Sequence, residues 1–175
     1  MIRRVAVALL IAGAIGVVVA VVWFARDDGT GEGMRAPVAS SGAPFLLTPT
    51  PASAPFQGLT EAQLGVGGRC LRVVLADDTT ERGQGLRERR TIGPYDGMLF
   101  VYQEPVDGSF TMSTVPVPLE IGFYAGDGTP VSRRHMKPCP RVEADCPSYH
   151  SSGPFTYALE TLTGELPSGA LSGCN

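Results

Sequence analysis

Residues 119–125 read Leu119-Glu120-Ile121-Gly122-Phe123-Tyr124-Ala125, and their alternation decides the fold class. Leu119, Ile121 and Phe123 fall on one side of an extended chain and Glu120 and Tyr124 on the other, the period of a strand. Gly126-Asp127-Gly128 then supplies turn chemistry that folds the chain back into 129–135 as a hairpin. Downstream, Phe155-Thr156-Tyr157-Ala158-Leu159-Glu160 alternates again, with Phe155, Tyr157 and Leu159 assigned to one face.

Upstream, Ser109–Ser113 is a short alternating strand, and Met98-Leu99-Phe100-Val101-Tyr102 is a continuous apolar run that reads as a buried one. Gly93-Pro94-Tyr95-Asp96-Gly97 before it is a turn. Leu71-Arg72-Val73-Val74-Leu75-Ala76 is rich in β-branched residues and reads as the first strand of the domain. Asp78 and Glu81 have the capping-box spacing, which predicts a short helix over about 79–86 that Gly83 or Gly85 ends. The expected fold is mainly β (α+β): a small barrel-like or curled antiparallel sheet with one short helix.

The rest of the chain frames that domain. Residues 5–25 carry no charge and follow Arg3-Arg4. As a helix this run spans ~31 Å, one bilayer core, which predicts an uncleaved transmembrane signal anchor. Trp23 suits its far interface, and the flanking charges place residues 1–4 in the cytoplasm and everything after residue 26 outside the cell membrane. Residues 26–68 are rich in Gly, Pro and Ser and read as a linker, leaving 69–175 as the extracytoplasmic domain. That domain holds ten Lys and Arg against thirteen Asp and Glu, too acidic a balance for a nucleic-acid partner.

All four cysteines fall after residue 68, and outside the cytoplasm an even count reads as disulfides, Cys139–Cys146 and Cys70–Cys174. The rival is a zinc site, because His135, Cys139, Cys146 and His150 have the residue types and symmetry of a tetrahedral centre. No cofactor motif is present: Gly83-x-Gly85 lacks the strand–glycine–helix order of a nucleotide loop.

Several of these pieces, in their order and spacing, resemble the family called domain of unknown function 192. They are Glu81-Arg82 leading to Gly85-Leu86, Gly97-Met98-Leu99-Phe100, Phe110-x-Met112, Pro118-Leu119-Glu120-Ile121, Pro138-Cys139 to Cys146-Pro147-x-Tyr149, and Ala158-Leu159-Glu160. The resemblance implies a compact, mostly β fold, often exported or membrane-anchored, with no agreed activity. Where the family has Phe-Trp-Met-Lys-Asn-Thr, this chain has Phe110-Thr111-Met112-Ser113-Thr114-Val115, which implies a lost or altered ligand if that segment forms the site.

Glu120 and Glu160 are the leading candidate functional residues, each a carboxylate inside an apolar strand. Arg89 is expected to partner a buried carboxylate, and Tyr149 to offer a stacking surface. Arg82, Arg87 and Arg90 read as a solvated basic face, and no nucleophile elbow accompanies His150 and Asp145. The expected function is a non-catalytic binding or envelope-associated module, with a cell-envelope glycan or protein as partner. One alternative is an envelope hydrolase, which needs the carboxyls of Glu120 and Glu160 within ~5–10 Å in one cleft. Another is an assembly partner of a second membrane protein.

Overall fold

The computed structural model describes residues 45–174. The membrane helix expected over 5–25 and the first part of the expected linker lie outside the described residues. Ten strands, one α-helix and one 3-10 turn follow: β1 Thr50–Pro51, β2 Thr60–Val66, β3 Arg69–Ala76, α1 Thr79–Gln84, β4 Gly97–Val106, β5 Ser109–Thr111, β6 Leu119–Tyr124, β7 Pro130–Met136, the turn Glu143–Asp145, β8 Ser148–His150, β9 Phe155–Leu162 and β10 Leu171–Ser172.

The main sheet runs β1-β2-β3-β4-β9-β6-β7, with β10 also on β2, and β5 pairs β8 in a small second sheet. It is an open, curled sheet and not a closed barrel. Its ends cannot join: β1 is two residues ending in a proline, and β7 begins with one. Segment 151–152 further blocks β7, where Ser152 N–H donates to Ser132 Oγ and the Ser152 hydroxyl to the Val131 carbonyl.

The sheet is also not wholly antiparallel. β3 and β4 pair in parallel, Val74 opposite Met98 and Ala76 opposite Phe100, because α1 and the turn after it return the chain to the same end. The predicted capping box forms: Glu81 N–H donates to Asp78 Oδ1 at 2.8 Å and Asp78 N–H to Glu81 Oε2 at 3.3 Å. The helix stops at Gln84, two residues short of expectation, at Gly85 with φ +48°. A Cβ at Gly85 would also come within 3.3 Å of the Phe100 ring.

The linker boundary at 68 does not hold. β2 pairs with β3 from Thr60–Leu75 to Val66–Arg69, so Leu71–Ala76 belongs to the third strand and not the first. Ala62, Leu64 and Val66 are buried beneath it. A charged knot fixes this segment: Arg72 donates to both Glu61 oxygens, at 2.9 and 2.7 Å, and the Tyr95 hydroxyl donates to Glu61 at 2.6 Å. The Arg72 and Tyr95 hydrogen bonds hold the Glu61 carboxyl down at about 2.

Both faces of the sheet are covered, so the alternation separates two cores and not core from solvent. Val74, Met98, Phe100, Leu119, Ile121, Phe123 and Ala158 pack with α1's flank and β5 on one face. Val73, Leu75, Leu99, Tyr124, Tyr157 and Leu159 pack with Phe45, Leu166 and Leu171 on the other. Phe155, expected on the face of Tyr157 and Leu159, packs in the first core instead. The register irregularity between Val101 and Val106 on the partner strand turns the start of β9 over.

Candidate functional site

Each carboxylate singled out in the sequence lies on one of two neighbouring strands. β6 pairs β9 with Glu120 opposite Thr161 and Ile121 opposite Glu160. Residues directly opposite share a face and successive residues alternate, so the two glutamates point to opposite faces. They do not meet, and the shared cleft that a two-carboxylate hydrolase needs is not formed.

Glu120 is an anchored structural group. Arg133 Nη2 donates to its Oε2 at 2.6 Å and also to the Leu166 carbonyl at 2.7 Å. Gly164 N–H reaches the same oxygen at 3.2 Å, and His135 Nε2 lies 3.1 Å from Oε1. Burial pushes this carboxyl up. The Arg133 hydrogen bond, the Gly164 N–H and the charges of Arg133 and His135 outweigh it and leave the group below its ordinary range.

Glu160 is the reverse case. It is 4 % exposed, and no described residue holds it by a hydrogen bond or ion pair. Its strand neighbours Met98 and Ile121 are apolar. Burial alone raises its carboxyl to about 8, so most molecules carry it uncharged at neutral pH. It faces a cleft of about 270 Å³ whose walls include Leu86, Phe100, Tyr102, Phe110 and Val115.

The local sequence builds that cleft from three sides. α1 and its exit supply Arg82, Gly85 and Arg87. Arg82 is fixed by the carbonyls of Asp77 and Val101, at 2.6 and 2.9 Å, and lies 4.8 Å from the centre of the Tyr102 ring. β5 supplies Ser109, Phe110 and Thr111, and Phe110 meets Phe100 edge to face at 4.9 Å. The 3-10 turn supplies Glu143, which takes Arg87 Nη2 at 2.8 Å. Burial also raises the Tyr102 phenol, opposed by the charge of Arg82 and, to a smaller extent, reinforced by that of Glu160.

Both expected disulfides form, Cys70–Cys174 and Cys139–Cys146. The zinc reading fails with them, since its two cysteines are joined and no cluster of three metal-ligating side chains occurs among the described residues. The second bridge closes the loop that carries Glu143. That loop is stitched to the β5 segment by Thr114 N–H to the Cys139 carbonyl and Ser113 Oγ to the Arg141 carbonyl.

Among the described residues Arg89 partners no carboxylate. Its Nη1 donates to the Pro55 carbonyl at 3.0 Å and its guanidinium stacks 4.2 Å over Phe56, so it staples the 53–56 segment to the body. Tyr149 pairs across from Phe110, and its hydroxyl accepts from Lys137 N–H at 3.0 Å, outside the cleft. Of the four expected site residues only Glu160 lines it. Arg82 and Arg87, assigned to a solvated face, belong to it instead, as do Phe100, Tyr102 and Phe110. The glutamate at the end of an apolar strand was the one signal for it.

The family model DUF192, described as "Uncharacterized ACR", matches residues 62–171. Two solved structures are similar. One is a protein of unknown function from Novosphingobium aromaticivorans DSM 12444, 26 % identical over 70 % of this chain and 91 % of that one, with a TM-score of 0.58. The other, a candidate transcription regulator from Sinorhizobium meliloti 1021, is 30 % identical over 62 % of this chain and 88 % of that one, with a TM-score of 0.52. No curated protein matches.

Proposed function

The chain belongs to the DUF192 family, and on that premise we propose that it is a non-catalytic ligand-binding module of the cell envelope, tethered by its N-terminal segment, with its ligand site in the Glu160 cleft. The observation that carries the binding reading is Glu160 itself. It is 4 % exposed, lines the cleft and has no hydrogen-bond partner among the described residues, so its hydrogen-bonding capacity is left to whatever occupies the cleft. The uncharged run 5–25 behind Arg3-Arg4 supports the tether, and the two disulfides suit an oxidising exterior. The cleft is smaller than the roughly 300–1,000 Å³ of pockets that hold drug-sized ligands. It therefore suits a small molecule, or one terminal group of an envelope polymer or glycan, and not a polymer chain lying along it.

The test is a thermal-shift screen of the full chain in detergent against muropeptides, short glycans and small organic ions. It is repeated on Thr111→Trp, which puts a bulky ring at the cleft wall. A saturable rise in Tm that disappears in Thr111→Trp supports the proposal. A rise unaffected by that substitution, or none with any compound, overturns it.

A further inference from the structure

We infer that the cleft takes a small organic anion, a carboxylate carried on an apolar body, and that Glu160 meets it as a hydrogen-bond donor beside Arg82. The inference rests on the reading of the cleft as a ligand site and names its ligand class.

The polar lining has hydrogen-bond donors to give. Thr111 Oγ1 accepts from Ser113 N–H at 3.3 Å, so its hydrogen remains to be given. The hydroxyls of Ser109 and Tyr102 donate to no described group. The carboxylate that could serve as an acceptor, Glu143, is already taken by Arg87 at 2.8 Å. These hydroxyls can donate to an acceptor-rich ligand; they and the Gln84 amide can also accept, so charge decides between ligand classes.

Charge favours an anion. The ionisable groups that share the cleft are Arg82 at the end of α1, Arg87 after it, Tyr102 on β4, Glu143 on the 3-10 turn and Glu160 on β9. Arg87 and Glu143 neutralise each other. Arg82 is held by carbonyl oxygens, which position its charge without cancelling it, and among the described residues no carboxylate pairs with it. With Glu160 uncharged the cleft therefore carries one net positive charge. A cationic ligand would have to work against Arg82 and ionise a carboxyl that burial keeps neutral. An anionic ligand does neither, and a carboxylic acid held uncharged by an apolar site is a strong donor to an oxyanion.

The walls define the rest of the ligand. Phe100, Phe110, Leu86 and Val115 give an apolar lining, and the volume of about 270 Å³ limits the body to about one ring or a short alkyl chain.

Benzoate, benzylamine and benzamide share a ring and differ in charge, so they separate the classes. Binding to the full chain in detergent is measured by calorimetry from pH 6 to 9.5, on wild type, Glu160→Gln and Glu160→Ala. The expected result is benzoate binding that is level below about pH 8 and falls about tenfold per pH unit above it, as Glu160 ionises. Glu160→Gln binds a few fold more weakly with a flat profile, because an amide still donates and no longer titrates. Glu160→Ala loses binding. Benzylamine binding that strengthens with pH and vanishes in Glu160→Gln overturns the anion class while leaving the cleft a ligand site. So does benzoate binding that ignores pH in wild type, or binding of none of the three while a screened envelope compound still needs an open cleft. If no compound in either experiment binds, the ligand class and the binding function fall together.

Discussion

Glu120 and Glu160 sit one register step apart on paired strands, and their carboxyls lie on opposite faces of the sheet. One is tied down by Arg133 at 2.6 Å, and the other has no tie among the described residues. The contrast separates a carboxylate that holds the fold from one that the fold tolerates.

Their substitutions should therefore move stability in opposite directions. Glu120→Ala leaves Arg133 without its carboxylate and the Gly164 N–H without its acceptor, and should cost about 2–3 kcal/mol. Glu160→Met fills the same space without a desolvated polar group and should gain about 1–2 kcal/mol. Urea unfolding of both variants checks this; a destabilised Glu160→Met would mean that the carboxyl is structurally engaged.

The pH dependence of stability should carry the sign of Glu160. Its carboxyl titrates near 4.5 when unfolded and near 8 when folded, so between those values the folded state binds the extra proton. Stability from this group is then lost as pH rises through that window, by up to about 1.4 kcal/mol per unit, and levels off above it. Glu120 and Glu61 are shifted downward and act the other way, losing their contribution only as pH falls below about 4.5. Unfolding free energies of wild type and Glu160→Gln across pH 5–9 isolate the first effect. The wild-type curve should fall relative to the variant.

The two disulfides should differ in consequence. Cys70–Cys174 spans 104 residues, and its replacement by serines should cost up to about 4.7 kcal/mol. Cys139–Cys146 spans 7 and should cost at most about 2.5 kcal/mol. The shorter bridge, however, fixes the loop from which Glu143 reaches Arg87. Its loss should weaken ligand binding more than the loss of the longer one, as titration of the two double variants would show.

Thr114, next in sequence to the cleft residue Val115, has an unusual backbone. It has φ +58°, a region that β-branched residues avoid. It is held there by its N–H to Cys139 and by its carbonyl, which accepts from Glu88 N–H. Thr114→Asn, the residue that the family pattern carries at this position, should stabilise the chain by about 1 kcal/mol. Thermal unfolding that shows no gain would mean that the segment adjusts at no cost.

The strands over 71–76, 98–102, 119–125 and 155–160 and the helix cap at Asp78 were legible because each is a local pattern, a periodicity or a side chain reaching its own backbone. β2 carried the same signal in Ala62, Leu64 and Val66, but glycines and prolines around it hid a strand inside a linker composition. The parallel β3–β4 pair and the burial of both sheet faces are tertiary facts that no window of residues contains. The cleft was partly legible, since Glu160 is anomalous at the end of an apolar strand. The arginines were not, because Arg82 and Arg87 differ from solvated ones only through carbonyls and carboxylates far away in sequence, at Val101, Ser113 and Glu143.

An uncharged, unpartnered Glu160 at neutral pH is the claim on which the cleft, its ligand class and the pH predictions depend. Its carboxyl can be titrated by carbon-detected NMR on chain labelled at glutamate Cδ, with Glu160→Gln to assign the signal. The account predicts a midpoint near 8. A midpoint near 4.5 would show a carboxylate already charged at neutral pH, and would contradict it.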